Sequence, residues 1–134
     1  MEISAKQMVE STCYWVKDHK THFKTIMSLV HEQVDEGNPR VMEGDIALLA
    51  RDRGIEWSYI EEIKRDHNMW AVMTRYMVML RPRLARTLCF RKSKVDGFDM
   101  IDAWHRIVNP TTTFLASSWQ EAKEMVKNDD VAAD

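Results

Sequence analysis

Seven basic residues, Arg75, Arg81, Arg83, Arg86, Arg91, Lys92 and Lys94, fall between Trp70 and Val95 with no aspartate or glutamate among them. Side chains of this type, at this density, suit phosphate oxygens, because each guanidinium offers a planar fork of donors that can hold an anion at two points. Tyr76 and Phe90 in the same run are candidates to stack on an unpaired base. The segment carries +7 and the rest of the chain −9, an asymmetry concealed by the net charge of −2. Such a distribution says more about partners than the total does. The candidate phosphate contacts are Arg75, Arg83, Arg86, Arg91 and Lys92. A plainer alternative is that Arg75, Arg83 and Arg86 solvate one face of an amphipathic helix and pair with acids elsewhere, each pair contributing about 0–1 kcal/mol. A third is a docking surface for an acidic protein or for a second copy of the chain.

Other residue types offer less. His19 and His22 in "DHKTH" are three apart, with Asp18 beside them, but no further ligand has metal-binding spacing. His31, His67 and His105 are isolated. Ser117 and Ser118 lie in no nucleophile elbow, Cys13 and Cys89 form no CxxC pair, and the four glycines are not clustered into a phosphate loop. The expectation is a protein without catalytic residues, metal or cofactor.

The elements that would position the basic residues are helical. Hydrophobic residues make up 45% and charged residues 30%, while Gly (4) and Pro (3) are too scarce for the turns of an all-β fold. Met8, Val9, Cys13, Trp15 and Val16 recur at helical spacing from Ser4 to about Lys17, as do Phe23, Ile26, Met27, Val30 and Val34 from Thr21 to Glu36. "EGNPR", Glu36 to Arg40, ends the second helix. Trp70, Met73, Met77, Leu80, Leu84 and Leu88 form one apolar stripe if the helix is unbroken, with Arg75, Arg83 and Arg86 projecting away from it. Pro82 predicts either a kink or a new helix with the proline in its first turn. "DMIDAWHRIV" returns to helical spacing, "NPTT" breaks it, and Thr112 or Thr113 is expected to cap a last helix burying Phe114, Leu115, Trp119, Ala122 and Val126. The acidic end, 129–134, is expected to fray. Core is the first reading of the methionine-rich stripe, and a homodimer through Trp70, Met73, Met77 and Leu80 the second.

One stretch is more specific. In "DIALLARDRGIEWSYIEEIKRD", residues 45–66, Asp45 can cap a first helix and Gly54 stops it. Glu56 or Ser58 then begins a second helix, with Ala50 as the small residue at the crossing and Ile55, Ile60 and Ile63 as pins. This segment resembles the helix-turn-helix of phage repressors and related bacterial regulators, over about 20 residues. The resemblance implies that the second helix enters the major groove, with Glu56, Trp57, Ser58, Glu61, Glu62 and Arg65 as the positions facing bases. Trp57, Ser58 and Arg65 are the expected contacts. Carboxylates can accept from cytosine N4 but repel phosphates, so the basic segment 70–95 would supply the affinity. The alternative is a plain αα-corner whose glycine ends a helix.

The expected protein is an all-α single domain, 1–128, of about five to seven helices around a helix-turn-helix-like unit. Its expected function is that of a small DNA-associated regulatory protein. The alternative is a non-enzymatic protein-interaction module, such as a phage- or plasmid-type accessory factor that binds and modulates a host protein. No apolar run reaches the roughly 20 residues of a membrane span and the first residues lack signal-peptide order, so a cytoplasmic location is expected.

Overall fold

The structure, a computed structural model, describes the backbone of residues 3–55 and 67–133 and the side chains of 3–55 and 68–128. It is all-α: six α-helices and two short 3-10 helices, with no strand among the described residues. The helices are α1 (Ala5–Asp18), α2 (Lys20–Asp35), α3 (Glu43–Asp52), α4 (His67–Leu80), α5 (Met100–Ile107) and α6 (Trp119–Ala133). The 3-10 helices are Pro82–Arg86 and Lys94–Gly97. No helix of the described residues is long and apolar enough to cross a membrane.

Local chemistry sets most of these boundaries. Ser4 caps α1 by accepting from Gln7 N at 3.1 Å while the Gln7 side chain accepts from Ser4 N at 2.9 Å, a reciprocal capping box. α2 and α3 both end in the same six-residue turn. Asn38 N donates to Gln33 O and Gly37 N to Val34 O, and in the same way Ile55 N donates to Ala50 O and Gly54 N to Arg51 O. The closing residue must be left-handed, and Gly37 (φ 77°) and Gly54 (φ 69°) are the two positive-φ glycines. Asp45 does not cap α3 as expected. It sits in the first turn and reaches back to accept from Met42 N at 2.8 Å.

α4 is the centre of the bundle. Every residue from Val72 to Leu80 is buried, Arg75 and Thr74 included, because α1, α6 and the Pro82–Arg86 turn pack around it. The amphipathic pattern expected there, with Arg75 on a solvated face, is therefore corrected: from Val72 onward the helix is enclosed. Its polar groups tolerate enclosure because each is satisfied. Thr74 Oγ1 donates to Trp70 O at 3.0 Å, Tyr76 OH donates to Met100 O at 2.6 Å, and Arg75 donates to three acceptors. Met73 and Met77 are fully buried and Leu80 nearly so. These three stripe residues are core of this chain, with only Trp70 half-exposed, so they offer no surface to a second copy. Each side chain buried this way contributes about 1.5–3 kcal/mol.

Pro82 starts a new element. α4 ends at Leu80, Arg81 is extended, and Pro82 opens the 3-10 helix at a position where its missing N–H costs nothing. The last helix also differs from expectation. Thr112 and Thr113 lie in an irregular segment, Leu115 is 56% exposed, and α6 starts at Trp119 with Ser118 Oγ accepting from Glu121 N at 3.1 Å. The irregular segment instead covers the end of α4: Leu115 N and Ala116 N both donate to Met79 O. The backbone is helical through Ala133. A single hydrophobic cluster runs through all six helices. Within it, Trp104 packs on Phe23, Tyr76 and Phe114 at ring-centroid distances of 5.7, 4.8 and 5.8 Å.

Candidate nucleic-acid interface

The basic run divides into cations used inside the protein and cations left at its surface. Arg75 is of the first kind. Its side chain is 4% exposed; Nε donates to Asp96 Oδ1 at 2.8 Å, one terminal nitrogen to Ala71 O at 2.9 Å and the other to Arg91 O at 2.7 Å. Asp96 accepts in addition from Trp119 Nε1 at 3.0 Å and from Ser93 N at 2.9 Å. Burial pushes the Asp96 carboxyl up, but the bonds from Arg75, Ser93 and Trp119 outweigh it and hold the pKa below the usual carboxylate value. Phe90 lies 5.4 Å from the guanidinium carbon and stacks on Trp119. Arg75 is thus not a surface phosphate ligand. It fixes the backbone at Arg91, and with it the loop that carries Arg91 and Lys92.

Arg83 is exposed but occupied. It donates to Asp35 Oδ1 at 2.6 Å, with His31 at 3.3 Å, and this bond lowers the Asp35 pKa. Arg81 turns back onto Leu80 O at 2.8 Å, and Lys94 donates to Ile3 O. Arg86, Arg91 and Lys92 are exposed, and neither Arg91 nor Lys92 has an ion pair among the described residues.

Two lysines outside the run join it. Arg86 lines a cleft of about 510 Å3 between the end of α2, the Pro82–Arg86 turn and α6, together with Lys123 and Lys127, against one carboxylate, Glu124. Lys123 also ties α6 to the turn, its Nζ donating to Ala85 O at 2.5 Å and to Leu88 O at 2.7 Å. Burial lowers its pKa. Lys127 is exposed with no ion pair among the described residues. The i, i+4 spacing of Lys123 and Lys127 is visible in the sequence, but their approach to Arg86 depends on how α6 folds back.

Of the helix-turn-helix-like unit, the first helix and the turn are described. Ala50 is fully buried and Gly54 is left-handed. Trp57, Ser58 and Arg65, the expected base contacts, lie outside the described residues.

Cys13, His19 and His105 are held within the structure. Cys13 is fully buried, and burial pushes its thiol up to about 11, so it stays protonated at neutral pH. His19 Nδ1 is 2.9 Å from Trp15 O and its ring stacks on Trp15, while His105 Nε2 is 2.8 Å from Thr112 O. No group of three or more His, Cys, Asp or Glu among the described residues is arranged to hold a metal ion. In comparisons with protein-family models, curated proteins and solved structures, the chain matches none of them.

Proposed function

We propose that the protein is a small, non-enzymatic DNA-associated regulatory protein that holds the phosphate backbone with the surface cations of its 86–92 segment and of α6. The observation that carries this reading is that Arg91, Lys92 and Lys127 stand exposed without an ion pair among the described residues. Lys127 lines one cleft with Arg86, Lys123 and a single acid, Glu124. A chain of net charge −2 that leaves Arg91, Lys92 and Lys127 without an ion pair among the described residues has a local field suited to a polyanion. The glycine turn after α3 supports a helix-turn-helix as the element oriented by those contacts.

The test is fluorescence anisotropy with a labelled random-sequence duplex at low salt. Arg91→Glu with Lys92→Glu should weaken binding at least tenfold for every sequence tried. Arg83→Glu should have a smaller effect, because that guanidinium is already held by Asp35. Equal affinity in the wild type and the double variant would refute the assignment.

A second reading, a protein-interaction module, is favoured by large apolar side chains left at the surface: Tyr14, Leu48 and Leu115 are 55%, 52% and 56% exposed. None of the three lines the cleft of Arg86, Lys123 and Lys127.

A further inference from the structure

α2 is electrostatically unbalanced along its length. Its acids, Glu32 and Asp35, lie in the C-terminal half and are held by Arg53 and Arg83. Its N-terminal half carries Lys20 and Lys24, both exposed and without an ion pair among the described residues, and no acid. The first turn of α2 also lacks a side-chain cap. Cations at this end oppose the helix dipole, and two like charges at i, i+4 repel, each a cost to the isolated protein.

These lysines border a groove of about 300 Å3 between α2, the end of α1 and the segment that follows α5. Its lining is mostly apolar, Val16, Phe23, Met27, Leu80, Trp104 and Val108, with Asn109 and Thr112 at one side. The volume is at the lower end of ligand sites and suits one or two apolar side chains rather than a cofactor. Met27, half-exposed at the groove, is a side chain that adapts to what it packs against.

We infer that this groove docks an acidic amphipathic peptide segment of a partner protein, whose apolar side chains enter the cavity while its carboxylates meet Lys20 and Lys24. Charge complementarity selects this occupant. A purely apolar segment leaves both lysines unrelieved, and a basic one adds to the repulsion. The surface is separate from the cleft of Arg86 and Lys127, so a partner seated here leaves the proposed DNA contacts open.

The experiment titrates the full chain into a fluorescein-labelled helical peptide with leucines at i, i+3, i+4 and i+7 and glutamates between them, followed by anisotropy. The Trp104 indole N–H is monitored by NMR to locate the site. The expected result is saturable binding that shifts the Trp104 signal. It should fall at least tenfold in Lys20→Glu/Lys24→Glu and with the peptide whose glutamates are glutamines. DNA affinity of the same variant should be unchanged within about twofold. Absence of saturable binding up to about 1 mM peptide, the edge of measurable affinity, overturns the inference. So does binding indifferent to both charge changes. Preferential binding of octanoate, or a concentration-dependent Trp104 shift from self-association without peptide, overturns the peptide assignment in favour of a small amphiphile or a second copy.

Discussion

Asp96→Ala removes the partner of a guanidinium that has almost no access to water. The Arg75 side chain is 4% exposed, and without Asp96 it keeps only the carbonyls of Ala71 and Arg91, which are dipoles rather than a counter-charge. Trp119 Nε1 and Ser93 N lose their acceptor in the same step. Breaking a buried ion pair from one side costs about 3–5 kcal/mol. The Asp96 side chain is 16% exposed, so water reaches part of the vacated space and the lower end of the range applies, about 3 kcal/mol. In urea unfolding followed by tryptophan fluorescence, with a slope of about 1–3 kcal/mol/M, the midpoint should fall by about 1–3 M. Arg75→Met should also destabilise, but the double variant leaves no buried charge behind. Its cost should fall short of the sum of the singles by about 1–3 kcal/mol. A loss below about 1 kcal/mol for Asp96→Ala, or singles that add within about 0.5 kcal/mol, would refute the description of Arg75 and Asp96 as a coupled buried pair.

The same pair gives an acid dependence. The Asp96 pKa is depressed below its unfolded value, so its contribution is complete above about pH 4 and is lost as pH falls through the lower folded value; Asp96→Asn should flatten the acid limb of a urea-midpoint profile. At the alkaline end the sign is opposite: the Cys13 thiol, raised by burial to about 11, favours the fold below its unfolded value and loses that advantage as pH rises toward 11. Iodoacetamide should therefore label exposed Cys89 in the native protein and Cys13 only after unfolding, as mass spectrometry of the intact chain will show. Gly54→Ala should destabilise by about 1 kcal/mol through its left-handed backbone alone, since a Cβ there meets nothing within 4 Å. Gly44→Ala, in α3 with ordinary φ and the same open space, should instead stabilise by up to about 1 kcal/mol in the same urea assay.

The parts of the fold that were legible in the sequence are those governed by neighbours along the chain. The apolar spacing of α1 and α2 and the glycines that close α2 and α3 are all decided within a few residues. The central helix was not legible in the same way. Arg75 and Thr74 interrupt its apolar residues and give it the look of a two-faced helix. They are tolerated inside because acceptors arrive from elsewhere, Asp96 being 21 residues downstream. Phe114 and Leu115 look like the start of a helix, but the tertiary need to satisfy Met79 O draws that segment into an irregular turn. The basic surface was half legible. Charge counting finds the run but cannot separate Arg75 and Arg83, which acids claim, from Arg91 and Lys92. Nor does it bring Lys123 and Lys127 to Arg86, which depends on α6 packing against the Pro82–Arg86 turn.

Whether the 86–92 segment and α6 hold nucleic-acid phosphates is decided by the salt dependence of binding to a random duplex. Three phosphate contacts, from Arg91, Lys92 and Lys127, predict a slope of about −2.7 in log affinity against log salt, or roughly a fortyfold loss between about 50 and 200 mM. Arg91→Glu/Lys92→Glu should reduce that slope by about two thirds. A slope near zero, or no binding at the low-salt end, would leave the basic surface without a nucleic-acid role.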